Sequence, residues 1–186
     1  MAPALTGVVT PTYDAFGRTQ SRELLFDELS MEAYYGKYQY TYKTTGGNQT
    51  GQVSSLTVQS GAASSYVTSS TTYGYTYDEM GNITQITKGG VVQQRYEYDD
   101  LGQLVREDDR ASGNTYVYSY DNAGNLLAKK RYDFTTGTLG TLRFTYSYGY
   151  DDSAWGDLLT SYHLESIEYD AIGNLSLIEF EGSAFF

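Results

Sequence analysis

Polar and apolar positions alternate with period two along most of this chain. The clearest runs are Tyr38-Gln39-Tyr40-Thr41-Tyr42, Tyr73-Gly74-Tyr75-Thr76-Tyr77, Tyr96-Glu97-Tyr98, Tyr116-Val117-Tyr118-Ser119-Tyr120 and Tyr146-Ser147-Tyr148-Gly149-Tyr150. Tyr and Thr favour strands, and strict alternation puts the tyrosines of a run on one face of a sheet. Downstream come aliphatics, as at Ile83 and Ile86, Leu104 and Val105, Leu126 and Leu127, Leu175 and Leu177. Between the two kinds of run stands one recurring phrase. It reads Tyr13-Asp14-Ala15-Phe16-Gly17-Arg18, Tyr77-Asp78-Glu79-Met80-Gly81-Asn82, Tyr98-Asp99-Asp100-Leu101-Gly102-Gln103, Tyr120-Asp121-Asn122-Ala123-Gly124-Asn125 and Tyr169-Asp170-Ala171-Ile172-Gly173-Asn174. Tyr150-Asp151-Asp152, running on to Trp155-Gly156-Asp157, is a stretched sixth copy. Tyr77 and Tyr98 lie 21 positions apart, and Tyr98 and Tyr120 lie 22 apart. Such a period marks a repeat architecture, in which each unit buries its apolar face on its neighbours.

The phrase has the chemistry of a turn. An aspartate at position i accepts a hydrogen bond from the backbone N–H two residues on, and a glycine three residues on supplies positive φ. A type I turn closed by such a glycine is a common hairpin connection with a bulge. Asp14/Gly17, Asp78/Gly81, Asp99/Gly102, Asp121/Gly124 and Asp170/Gly173 are therefore the structural turn residues. Second turns at Gly89-Gly90 and Ser112-Gly113-Asn114 return the chain to the next tyrosine strand. The expected fold is all-β: an antiparallel meander of hairpins forming a curved open sheet or a partial β-solenoid or barrel shell.

The organisation along the chain is that of a single domain over residues 1–186. Residues 1–12 read as an extended lead-in, residues 13–180 as about six to seven hairpin repeats, and residues 181–186 as a tail. Residues 21–33 offer the one helical case, with Ser21 as N-cap and Leu25 and Leu29 spaced by four. The competing reading is a strand leaving the Tyr13 turn, followed by a loop. Residues 34–77 hold a degenerate repeat, with a loop over Gly46–Gly51, a strand over Val53–Gln59 and a connection at 60–65. A further pair between Tyr132 and Tyr150 is joined by Thr135-Thr136-Gly137-Thr138-Leu139-Gly140.

Composition narrows the function classes. At 186 residues the chain can build a real core. A net charge of −11 argues against a phosphate-binding surface, and hence against nucleic acid. Without cysteine there is no disulfide framework, no thiolate nucleophile and no thiolate zinc site. No apolar stretch approaches the ~20 residues that span a bilayer, so no membrane insertion is expected. Met1-Ala2-Pro3-Ala4-Leu5 lacks the regions of a signal peptide, so an export signal would lie outside this chain. Tyrosine is the outlier, 21 residues against Phe 7 and Trp 1. Tyrosine must supply much of the buried area, with its hydroxyl paired or at the wet edge.

The repeated Tyr-Asp-x-x-Gly-Asn and Tyr-Asp-x-x-Gly-Gln units resemble the YD repeats of the RHS family of bacterial surface and toxin proteins, related to the animal teneurins. Phe16-Gly17-Arg18-Thr19, Gly47-Asn48-Gln49-Thr50-Gly51-Gln52-Val53, Tyr98–Leu104, Trp155–Thr160 and Tyr169–Asn174 are especially similar to RHS proteins of clostridial-type bacteria. The resemblance covers nearly the whole chain. It implies strand–turn–strand repeats wound into a β-sheet spiral, which in long members forms a hollow shell around a C-terminal toxin or other cargo. Three features depart from the family pattern. Six or seven repeats are too few to close a shell. No proline follows Pro11, so the family's Asp-Pro self-cleavage motif is absent. And His163-Leu164 stands where relatives often carry Asn-Gly, a far better type I′ turn. The resemblance thus implies a scaffold, secreted or at the bacterial cell surface, without cleavage chemistry. Its partners would be the remainder of a larger RHS polypeptide, or other copies through exposed strand edges.

Candidate chemistry is thin beside this. His163 is the single histidine, and no nucleophile elbow accompanies it. Asp99-Asp100, Asp108-Asp109 and Asp151-Asp152 supply calcium-type oxygens but lack EF-hand spacing, and two of the pairs serve turns. A glycosidase pair is no more than coincidence among 23 acids. The Gly-Gly and Gly-Asn elements are turns, with no helix following to cradle phosphate. Asn82-Ile83-Thr84 and Asn174-Leu175-Ser176 match glycosylation sequons through the turn signature itself. No catalytic residue, metal or cofactor is assigned. The second functional reading is a carbohydrate-binding surface module, with Tyr40, Tyr75 and Tyr118 facing the glycan.

Overall fold

The computed structural model describes residues 6–27, 34–63 and 66–178. Every regular element among them is a β-strand. The chain falls into two compact units, Met1–Gln93 and Gln94–Phe186. The first holds β1 (Thr6–Tyr13), β2 (Thr19–Asp27), β3 (Tyr34–Thr45), β4 (Asn48–Ala63), β5 (Tyr66–Tyr77) and β6 (Ile83–Lys88), with β7 (Val91–Tyr98) starting at its end. The second takes most of β7 and then β8 (Leu104–Asp109), β9 (Asn114–Tyr120), β10 (Leu126–Asp133), β11 (Leu142–Gly149), β12 (Ser161–Tyr162), β13 (Glu165–Tyr169) and β14 (Leu175–Ile178). Within each unit the strands pair antiparallel in chain order. The meander is open, since β1 pairs only with β2 and β14 only with β13.

Of the local expectations, the strand reading of residues 21–27 and the extended lead-in hold, and the loop at Gly46–Gly51 and the connection at 60–65 are corrected. Ser21–Asp27 is strand, not helix, because β2 is laddered on both sides: Leu24 lies between Val9 of β1 and Gly36 of β3. Residues 28–33, the rest of the helical case, lie outside the described residues. The loop over Gly46–Gly51 shrinks to a two-residue turn at Gly46-Gly47, both at positive φ, and β4 starts at Asn48. The connection at 60–65 is strand as far as Ala63, and residues 64–65 lie outside the described residues. The lead-in is a paired strand from Thr6, whose register runs from Thr6↔Asp27 to Tyr13↔Thr19. The tail at 181–186 lies outside the described residues.

Each tyrosine phrase is followed by a register shift. Opposite the phrase tyrosine the ladder skips one residue: Tyr77 pairs Ile83 while Thr76 pairs Gln85, and Tyr98 pairs Leu104 while Glu97 pairs Arg106. The same step occurs at Tyr13, Tyr120 and Tyr169. A bulge inserts one unpaired residue, so side chains three apart on the bulged strand share a face. Ile83 and Ile86 thereby lie under Tyr77 and Tyr75 on the same face.

In the second unit the registers align a row across five strands: Tyr96, Glu107, Tyr116, Arg131 and Phe144. Beside it run Tyr118, Lys129 and Tyr146. This tyrosine face is half-buried throughout. Its tyrosines are therefore not the closed core that the composition suggests. Among the described residues the buried apolar side chain is Tyr35, at 7% exposure. The neighbouring positions Val117, Lys130 and Thr145 occupy the opposite face. There, beside them, Thr115 and Asp108 are 0% and 4% exposed under the segment that follows β10. Thr115 Oγ1 donates to Asp108 Oδ1 (3.0 Å) or to the Thr135 carbonyl (3.1 Å), and accepts from the Thr135 N–H (3.1 Å). Arg106 Nε donates to Asp108 Oδ1 at 2.8 Å and its Nη2 to the Thr135 carbonyl at 3.2 Å.

Candidate functional site

The residues the sequence singles out are those of the turns, and all five turns have one geometry. At Asp121 the backbone N–H donates to the Asn125 carbonyl (3.0 Å) and the carbonyl accepts from the Gly124 N–H (3.2 Å). Its carboxylate Oδ1 accepts from the N–H groups of Ala123 (2.8 Å) and Asn125 (2.9 Å), and Oδ2 from Asn125 Nδ2 (2.9 Å). Asp170 repeats the pattern with Ile172 and Asn174, Asp78 with Asn82, and Asp99 with Leu101 and Gln103. Asp14 uses Phe16 and Arg18, whose Nε donates to Oδ2 at 2.7 Å. Gly17, Gly81, Gly102, Gly124 and Gly173 all sit at positive φ, from 77° at Gly17 to 94° at Gly81. The role of the sixth residue is not apparent from turn rules: at Arg18, Asn82, Asn125 and Asn174 its side chain closes a second ring on the carboxylate. Arg18 adds more, reaching Thr50 and Gln49 of the next hairpin and lying 3.9 Å from the Tyr42 ring centroid.

At Asp14, Asp78, Asp121 and Asp170 these bonds hold the carboxylate in its charged form. Donation from the Arg18 side chain puts the Asp14 pKa below its usual value, and donation from Asn125 and Asn174 does the same at Asp121 and Asp170. At Asp78 desolvation pushes upward, but the bonds from Asn82, Gly81 and Met80 together outweigh it.

The phrase tyrosines join successive hairpins. Tyr42 donates its hydroxyl to the Thr19 carbonyl (2.7 Å), Tyr77 to Val53 (2.7 Å), Tyr120 to Leu104 (2.9 Å) and Tyr169 to Leu159 (3.0 Å). Tyr150 is likewise hydrogen-bonded to the backbone of Leu126. Thr19, Leu104 and Leu126 each stand two residues past a turn glycine. The ladder to the following strand has already ended there, at Ser21↔Gln39, Arg106↔Val117 and Ala128↔Ser147. A carbonyl left over by the bulge thus receives a tyrosine hydroxyl from the next repeat. Backbone acceptors shut away from water need such partners.

The glycan candidates are divided between the two units. Tyr40 and Tyr75 belong to the first unit and Tyr118 to the second. Tyr118 donates its hydroxyl to Glu107 Oε2 at 2.8 Å; burial first, and this bond second, push its pKa up. His163 lies at the tip of the β12–β13 hairpin at φ 60°, its ring centroid 4.9 Å from that of Phe144. Positive φ at the first central residue alone is the type II′ pattern, which explains how His163-Leu164 closes a turn unsuited to type I′. The acidic pairs serve their own loops: Asp109 Oδ1 accepts from Ala111 N–H and Asp152 Oδ1 from Ala154 and Trp155 N–H. Among the described residues no three His, Cys, Asp or Glu side chains gather as a metal site would require.

A meander of hairpins closed by Asp and Gly and joined by tyrosine hydroxyls defines a structural repeat protein. Residues 93–133 match the family model described as RHS Repeat. Over 92% of the chain the sequence is 26% identical to Teneurin-3 of Danio rerio, and the match takes up 7% of that protein. The fold matches the crystal structure of TcdB2-TccC3-Cdc42 with a TM-score of 0.51, at 13% identity, covering 94% of this chain and 11% of that one. Residues 93–133 thus match an RHS repeat, and the phrase that recurs along the rest of the chain is of the same kind. The chain spans about a tenth or less of either relative.

Proposed function

We propose that this chain is a non-catalytic length of RHS scaffold, part of a wall that encloses or presents a toxin or effector belonging to a longer secreted or surface-located polypeptide. The observation that carries the reading is the tyrosine clasp from each repeat to the one before it. The conspicuous side chains spend their bonding capacity within the repeats, Tyr120 on the Leu104 carbonyl and Asp121 on Asn125. A wall needs that and a catalyst does not. The remainder of the polypeptide would supply the layers that the half-buried tyrosine faces lack. The test uses the full-length parent polypeptide with Gly81→Val and Gly124→Val combined. Weakening two turns of an enclosing wall should make the enclosed domain protease-sensitive while the rest stays folded. Unchanged protection of that domain would reject the enclosure role.

A further inference from the structure

The tyrosine face of the second unit carries two cations, Lys129 and Arg131, with no ion-pair partner among the described residues. Lys129 and Arg131 sit two apart on β10, opposite Tyr118 and Tyr116 on one side and Tyr146 and Phe144 on the other. Among the described residues Arg18, Lys37, Arg106 and Arg143 have ion-pair partners, and of the remaining cations Arg131 is the one with a buried, unpartnered donor. Lys129 Nζ instead lies over aromatic rings, 4.2 Å from the Tyr116 centroid and 5.4 Å from that of Tyr118. Arg131 Nε is the buried side-chain polar atom that lacks a hydrogen-bond partner among the described residues. Such an atom calls for an explanation, because a desolvated donor without an acceptor is costly.

We propose that this face binds an extended acidic peptide segment, with carboxylates at alternate positions engaging Lys129 and Arg131. Part of the guanidinium has already lost its water, so an arriving carboxylate meets a less screened charge and displaces less solvent. Arginine's planar fork favours a carboxylate, and the rings of Tyr116, Tyr146 and Phe144 offer flat contact area on either side. Neighbouring cations of one strand face lie about 6.6–6.8 Å apart along the strand, the spacing of alternate residues in an extended peptide. Glu107 fixes the boundary of the site. It lies two strands from Arg131 in the same row, already accepts the Tyr118 hydroxyl, and repels an acid there.

The experiment is fluorescence anisotropy of the whole chain with a labelled peptide carrying Glu at every second position. Its comparator has the same composition with the Glu residues contiguous. The proposal expects saturable binding that prefers the alternating peptide, and a loss of about tenfold or more in affinity on Arg131→Gln or Lys129→Gln. Lys130→Gln, on the opposite face, should leave affinity unchanged, and unchanged melting of all three variants removes misfolding as an explanation. No binding, equal loss in the Lys130 variant, or displacement by inorganic phosphate at equal charge concentration would overturn it.

Discussion

Among single residues, the turn glycines and aspartates act by different physics, and substitutions separate them. A Cβ at Gly17 would meet nothing within 4 Å, so Gly17→Ala tests backbone conformation alone. With φ at 77°, the expected cost is about 1–2 kcal/mol in chemical denaturation. At Gly124 a Cβ also comes to 3.3 Å from Gln103 Nε2, so Gly124→Ala should cost at least as much. The aspartates act through charge. Asp14, Asp78, Asp121 and Asp170 have pKa values lowered on folding. A depressed folded pKa stabilises above the unfolded value near 3.9, and that contribution disappears as pH falls through the folded value. Melting temperature should therefore drop between about pH 5 and pH 2, and the combined Asp121→Asn and Asp170→Asn variant should show a flatter dependence. An equal slope in the variant would assign acid sensitivity to other carboxylates.

For the hairpins and the segments between them, the tyrosine clasp and the docked segment after β10 are the parts that can fail separately. Tyr120→Phe removes the hydroxyl that reaches the Leu104 carbonyl and should cost about 1 kcal/mol without altering the ring's packing. Thr115→Val replaces a fully buried hydroxyl by a methyl of similar volume, leaving Asp108 and Thr135 short of a partner. About 1–3 kcal/mol is expected, with faster amide exchange confined to residues 134–141. Hairpin identity was legible in the sequence because Asp, Gly and the alternating tyrosines are local signals. The bulge was not, since Thr84 looks like any strand residue until Tyr77 chooses Ile83 as its partner. Nor was the clasp, because Tyr120 and Leu104 are joined only once β8 and β9 are known to be neighbours. Ser21–Asp27 was ambiguous because its leucine spacing fits a helix as well, and the two flanking ladders decide for strand. The Lys129 and Arg131 pair reads as ordinary surface charge until the registers set both between aromatic residues of the flanking strands.

At the scale of the whole molecule, exposure and edges set the behaviour in solution. Val8 and Val9 of β1 are 61% and 56% exposed, and β1 has a partner on one side. An edge strand with apolar side chains is a template for pairing with another chain. Apparent mass by light scattering should rise with concentration, and Val9→Lys should return it toward the monomer. Insensitivity of the mass to both would show that β1 is not the associating edge.

The clasp also gives the chain a direction. The hydroxyls of Tyr42, Tyr77, Tyr120 and Tyr169 each come from a later repeat and land on an earlier one. During synthesis a hairpin therefore emerges unfinished and is locked only when its successor arrives. Damage travels backward along the same line: losing Tyr120 should loosen the hairpin before it, around Leu104, while the hairpin after it keeps its own lock from Tyr150. Such a structure is assembled like shingles laid in one order, and each course is held down by the next.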